Sequence, residues 1–211
     1  MTWTDITTIE QLEGLIGRPA YRAAHKVRAA LLPIDREWLA ASPFCVLATA
    51  DDQGRCDASP KGDPPGQLVH VLNDRTIAIA ERPGNRRADG YHNVLVNPHV
   101  GINFFVPGRG DTLRINGRAR LLSDADFFDR LEVKGHHPIL ALVVEIEEVS
   151  YHCAKAFMRS QLWHPETWRP DALPSVAAIS KATIPDSPET LEQLEAYYGP
   201  AYEQGIYTQT T

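Results

Sequence analysis

The rhythm of apolar and polar positions changes near residue 43. Before it, apolar residues recur at helical spacing. Leu12, Leu15 and Ile16 follow Thr7 and Glu10, a T-x-x-E capping box that predicts an opening helix. A second helical segment is predicted over 21–30, and a third over 35–41 after Pro33, ending at Ser42 and Pro43. From Phe44 onward the apolar runs are short, β-branched and separated by turn residues, which predicts strands. FCVLATA at 44–50 is the first, and DDQGR at 51–55 a turn rich in Asp and Gly. A second strand runs through Ser59, the segment 66–73 alternates into a third, and TIAIAE at 76–81 forms a fourth.

A helix over 89–96 interrupts this meander, which resumes with a buried strand at 99–106, a PGRGD hairpin turn at 107–111 and a strand at 112–122. In that last strand Leu113 and Ile115 face one way and Arg114 and Asn116 the other, until Gly117 permits a bulge or a close backbone approach. Ser123 and Asp126 predict a short helix carrying Phe127, Phe128 and Leu131. ILALVVEIEEVSY at 139–151 begins as a continuous apolar run and ends alternating, as a strand does that enters the core and leaves at a rim. A helix is predicted over 154–163 and a final one from Ser187 to Gly199, with the proline-rich stretch 164–186 lying as an arm over the surface.

The pattern therefore predicts a mainly β protein: an antiparallel unit of six or seven strands with peripheral helices, closed as a small barrel because closure removes exposed edges. One domain over 1–211 is expected, with helical extensions at 1–42 and 154–211. The strand–helix alternation of a doubly wound fold is absent, as are G-x-G-x-x-G and G-x-x-x-x-G-K-[ST], which argues against dinucleotide and nucleoside triphosphate binding.

The net charge of −6 argues against a nucleic-acid partner, since no basic aromatic cluster offsets it. No apolar run approaches the roughly 18 residues of a membrane span. The start MTWTDITTIEQ has neither a basic beginning nor an apolar signal core, so a cytoplasmic location is expected. Cys45, Cys56 and Cys153 form no C-x-x-C and read as reduced thiols, with Cys45 inside the apolar run of the first strand. The pairs His136–His137 and His152–Cys153 lack the spacing of zinc ligands, so no metal is expected.

One segment carries chemistry. ERPGNRRADGYHNVLVNP, from Glu81 to Pro98, sets a Pro-Gly turn and the adjacent Arg86 and Arg87 directly ahead of the predicted helix. A Pro-Gly break exposes backbone amides, a helix start adds partial positive charge, and two guanidinium groups match phosphate oxygens. A bound phosphate is the reading this supports; the alternative is a solvated Arg pair capping a helix end and bonded to nearby carboxylates.

Together with ASPKGDPPG at 58–66, LNDRTIAIAERPGNRRADGYHNVLVNPHVGINFFVPGRGDTLRINGRARL at 72–121 and YHCAKAFMRSQLW at 151–163, this segment resembles the pyridoxamine 5′-phosphate oxidase-like family of FMN-binding split barrels. The resemblance spans roughly residues 40–165. It implies a split barrel that forms a homodimer with FMN at the subunit interface, acting on a small molecule. Arg86 and Arg87, with Asn85 orienting the loop, fall where the family holds the cofactor phosphate. Ser59 and Lys61 fall beside the isoalloxazine ring, where a lysine can stabilise negative charge on reduced flavin; the alternative for Lys61 is a surface residue of a turn.

Arg114, in LRING, matches a strand that contributes a polar side chain to the cofactor, with cross-strand pairing to a carboxylate as the alternative. Lys155, Arg159, Ser160 and Trp163 fall near helical spacing and are placed over the flavin or substrate of the partner subunit, or else on a helix docked by Trp163 with solvated charges. Two departures bear on function. The family's Ser-Arg-Lys stands here as Asn-Arg-Arg, and the residues with which true oxidases grip their substrate are not matched. The expectation is an FMN-dependent oxidoreductase of an unidentified small molecule, with no catalytic residue assigned. An FMN-binding protein without turnover of its own, or a related barrel using deazaflavin or haem, are the alternatives.

Overall fold

The computed structural model describes residues 1–208. Seven strands, β1 (Phe44–Ala50), β2 (Cys56–Gly62), β3 (Val69–Asn73), β4 (Thr76–Glu81), β5 (His99–Phe105), β6 (Thr112–Leu122) and β7 (Leu140–His152), form one antiparallel sheet in the order β2-β1-β5-β6-β7-β4-β3. The protein is mainly β, as the apolar rhythm predicts. β2 and β3 lie at the two ends of that order, so the barrel is split rather than closed. Pro60 sits within β2, opposite Val46, and a residue without an N–H is tolerated in a sheet where no further strand needs its donor.

The core follows from alternation. Leu47, Ile102 and Ile115 stand in one register row across β1, β5 and β6, and Cys45, Phe104 and Leu113 in another; each of the six is at most 1% exposed. Burial pushes the Cys45 thiol up to about 12. β7 is buried on both faces along its first half, which explains its continuous apolar run. Leu142 and Val144 join the main core, while Ala141 and Val143 pack with Phe127, Phe128 and Leu131 in a second cluster.

Between β6 and β7 the register slips at Asn116 and Gly117, because Asn116 pairs with Glu148 and Gly117 with Ile146. Glu147 is the extra residue of a β-bulge. It lets Ile146 and Val149, three positions apart, both face the core. A Cβ on Gly117 would lie 2.1 Å from the Glu145 carbonyl oxygen, so the expected close backbone approach is present.

Eight helices surround the sheet in the described residues: α1 (Ile9–Ile16), α2 (Tyr21–Ala24), α3 (Pro33–Ala41), α4 (Asp89–Val96), α5 (Lys155–Ser160), α6 (Val176–Thr183), α7 (Leu191–Tyr197) and α8 (Pro200–Gln204). Several bounds differ from the predicted ones. The capping box of α1 is Thr8 with Gln11, one residue beyond Thr7 and Glu10. α2 ends at Ala24 rather than near residue 30, because Arg28 leaves the helix to exchange backbone hydrogen bonds with Val149 of β7. β2 continues past Ser59 to Gly62. The helix expected after Ser123 is only a 3-10 turn over Phe128–Leu131. The arm over 164–186 contains α6, whose Ser175 caps Ala178 N–H and whose Ala177 is buried; α7 starts at a Thr190–Gln193 capping box rather than at Ser187.

Candidate functional site

A cleft of about 720 Å³ opens between β2, the end of β4 and the start of α4. That is a volume suited to a cofactor or small ligand. Leu47 and Leu68 form its apolar floor, each at most 1% exposed. Asp57, Ser59 and Lys61 enter from β2 on the same face as the core residues of β1, since Lys61 pairs with Cys45 and Ser59 with Leu47. Gly90 brings α4 so close to β2 that a Cβ there would lie 3.1 Å from Asp57 Oδ2 and 3.4 Å from Ser59 Oγ.

The loop into α4 is strained at two positions. Arg86 (φ 61°) and Ala88 (φ 55°) both adopt the left-handed conformation that non-glycine residues rarely take, and Arg87 lies between them. Asn85 Oδ1 accepts from Arg87 N–H at 3.0 Å and holds the turn. Ala88 is the N-cap of α4 and has no side-chain acceptor to offer, so the helix starts beside the cleft without a side-chain cap. Tyr91 N–H bonds back to Ala88 O at 2.9 Å, and the helix start that remains, at Asp89 and Gly90, has no side-chain cap and a guanidinium beside it, an arrangement that favours an anion.

Each cation of the cleft also has a carboxylate. Lys61 Nζ lies 2.7 Å from Glu81 Oε2, Arg82 Nε 2.9 Å from Asp63 Oδ2, and Arg87 Nε contacts Asp89 Oδ2. These pairs differ in how firmly they are held. The side chains of Arg87 and Asp89 are 77% and 42% exposed, so their pair is a weak surface contact that a doubly charged ligand can displace. Lys61 and Glu81 are 16% and 24% exposed and tied to a third group, because Tyr91 OH donates to the same Glu81 oxygen and Lys61 Nζ lies 4.5 Å from the Tyr91 ring centroid. Burial and the Glu81 charge push the Tyr91 hydroxyl far above its ordinary range, so it stays a donor. The geometry thus offers a replaceable counter-charge at the helix start and a fixed, oriented lysine further along β2.

The residues singled out from sequence separate into two places. Ser59, Lys61, Asn85 and Arg87 line the cleft, and Arg86 belongs to its entry loop. Lys61 lies on a strand and not in a turn. Arg114 lies elsewhere: it is flanked by the buried Leu113 and Ile115, pairs in register with Asn103 and Ser150, and projects from the sheet face away from the main core. Lys155, Arg159 and Ser160 lie on α5, beyond β7. Trp163 follows that helix and docks it, stacking on Phe157 and donating Nε1–H to Arg109 O at 2.6 Å. None of Lys155, Arg159, Ser160 and Trp163 lines the cleft within one copy of the chain. Sequence reading passed over Glu81 and Tyr91, whose signal is a lone carboxylate ending an apolar strand and an aromatic one turn into α4, and it passed over Tyr202 and Ile206, which line the cleft from the far end of the chain.

A family model of pyridoxamine 5′-phosphate oxidase matches residues 34–153, more than half of the chain. This chain belongs to that family. No curated protein matches it. Among solved structures it is similar to a putative pyridoxamine 5′-phosphate oxidase from Lactobacillus delbrueckii (22% identity, 59% of this chain and 98% of that one, TM-score 0.46). It is also similar to HupZ of Group A Streptococcus (15% identity, 56% and 92%, TM-score 0.46) and to HutZ, the heme storage protein from Vibrio cholerae (17% identity, 58% and 93%, TM-score 0.40).

Proposed function

We propose that the protein is an FMN-dependent oxidoreductase acting on a small molecule, with the cofactor held in the cleft of β2, β4 and α4. The observation that carries this reading is the uncapped start of α4, reached through a loop strained at Arg86 and Ala88 and bearing Arg87 on the cleft wall. Backbone strain persists where surroundings enforce it and gathers at binding sites. Family membership supports the same reading. Arg87, released from Asp89, and the amides of Asp89 and Gly90 at the start of α4 would hold the phosphate. Ser59 and Lys61 would lie along the flavin, which when bound accepts or donates a hydride or single electrons. Glu81 and Tyr91 fix where the Lys61 ammonium sits, so its charge is in place before any negative charge develops beside it. No side chain of the cleft is assigned a proton-transfer role.

Haem or deazaflavin in place of FMN is separated by colour. The purified protein should show the absorbance bands of oxidised flavin; a Soret band or a deazaflavin spectrum would replace this assignment. Reduction by NADH or NADPH, followed by turnover of an acceptor, distinguishes an enzyme from a protein that only carries the cofactor. Arg86→Ala with Arg87→Ala should lose FMN while the apo protein keeps its melting temperature. Each charge-assisted contact contributes about 1.5–3 kcal/mol, so binding should weaken at least about a hundredfold. Stoichiometric flavin in the double variant would remove the phosphate assignment.

A further inference from the structure

The far end of the chain reaches the cleft. Tyr202, on α8, and Ile206, just beyond it, are among the residues lining it, more than 100 positions after Tyr91. Contacts of Tyr207 and of Tyr202 itself hold them there. Tyr207 OH donates to Asp63 Oδ1 at 3.0 Å, and Asp63, whose side chain is 1% exposed, also receives Arg82 Nε at 2.9 Å. The Tyr207 ring is enclosed by His136, stacked at 5.9 Å, by Lys134 at 5.3 Å and by Arg82 at 5.9 Å. The Tyr202 ring also meets Tyr197 at 5.5 Å and Tyr198 at 5.4 Å, both at the end of α7. α7 is anchored by the buried Leu194 and packs on α6. Lys181 Nζ donates to Ser187 O at 2.8 Å and to Glu189 O at 3.0 Å, closing the connection between α6 and α7.

Ordering a segment at the far end of the sequence against β2 and β4 costs conformational entropy that its contacts must offset. A tyrosine ring and an isoleucine side chain, in a cleft that also carries Asp57, Lys61, Asp63, Glu81, Arg82, Arg87 and Asp89, supply an apolar surface that a flat ring can cover.

We propose that residues 200–207 form one wall of the ligand site, with Tyr202 as the residue that contacts the ring of a planar aromatic ligand and Tyr207, through Asp63, as the latch that positions it. This rests on the FMN reading above for the identity of the ligand. Tyr202 and Ile206 are each about half exposed (49% and 50%), so their apolar surface is available to a ligand in the cleft.

The test uses the 211-residue chain, with FMN as the probe. A tyrosine in contact with isoalloxazine quenches its emission by electron transfer, whereas a phenylalanine fills the same space without doing so. Tyr202→Phe should therefore raise the fluorescence of bound FMN severalfold with little change in Kd. Tyr202→Ala should raise both the fluorescence and the Kd, the latter about tenfold. Tyr207→Phe should accelerate hydrogen exchange across residues 196–207 at least about tenfold in apo protein, a readout that needs no ligand. Unchanged exchange in Tyr207→Phe would overturn the latch. Bound FMN equally quenched and equally tight in both Tyr202 variants would overturn the wall. If wild-type protein binds no flavin while Tyr207→Phe still accelerates exchange, the FMN reading fails and the docked segment stands.

Discussion

At the scale of single residues, Gly117 is the glycine with least room for a side chain. A Cβ there would lie 2.1 Å from Glu145 O, 3.0 Å from its carbonyl carbon and 3.2 Å from Ile146 Cα, all backbone atoms of the neighbouring strand. Backbone within a paired strand cannot swing aside as a flexible side chain can. Gly117→Ala should cost about 1–3 kcal/mol, the usual range for overpacking, and is read as a lower urea midpoint. Gly14 in α1 is the control, since nothing lies within 4 Å of its would-be Cβ, and Gly14→Ala should gain about 0.5–1 kcal/mol. A Gly117→Ala midpoint equal to wild type would show that the two strands are not this close. Gly117 was legible in the sequence because an isolated glycine interrupts a strand pattern of strict alternation. Glu81 and Tyr91 were not, because their roles arise from a contact between β4 and α4 that no local spacing encodes.

Among elements, the connection from α2 to α3 shows tertiary contacts overriding local propensity. Helical spacing extends the second helix to residue 30, yet Arg28 bonds Val149, Lys26 Nζ donates to Tyr151 O at 2.7 Å and Leu31 N–H to Asp74 O at 2.8 Å. Asp35, in the first turn of α3, closes the arrangement. Its carboxylate is fully buried, receives Arg28 Nη2 at 3.0 Å and Leu32 N–H at 2.7 Å, and so is held below the usual carboxylate range even though burial acts in the opposite direction. A depressed folded-state pKa means stability that is present above about pH 4, the unfolded value, and is lost as pH falls through the folded value. Asp35→Asn should remove that acid-dependent part and cost roughly 1.5–3 kcal/mol at neutral pH, as expected for hydrogen bonds to a charged group. Urea melts at neutral and acid pH check both: the gap between wild type and variant should narrow as the pH drops, and a constant gap would refute the argument. The strands were more legible than the helices because alternation and turn residues fix where pairing stops. A short helix such as α2 owes its length to the strand contact that follows it.

Across the whole molecule, the cationic groups singled out from sequence lie apart: Lys61, Arg86 and Arg87 are at the cleft or its entry loop, and Lys155 and Arg159 are on α5. A two-fold dimer that sets α5 of one copy against the cleft of the other would complete each site from both chains, and this is the assembly we propose. Mixing the Arg86→Ala/Arg87→Ala variant with a Lys155→Ala/Arg159→Ala variant should then regenerate about half of the sites in every heterodimer, scored as flavin bound per dimer. A flavin-loaded monomer in sedimentation, or heterodimers with no recovered binding, would refute it. The split in the barrel has its own consequence. β2, which carries Ser59 and Lys61, lies at one end of the strand order, and Pro60 between them withholds the donor that an incoming strand would need. The border that carries the site is thus poorly suited to polymerising with its own kind, so the entrance can stay open to diffusing molecules in a crowded solution without becoming a template for fibres.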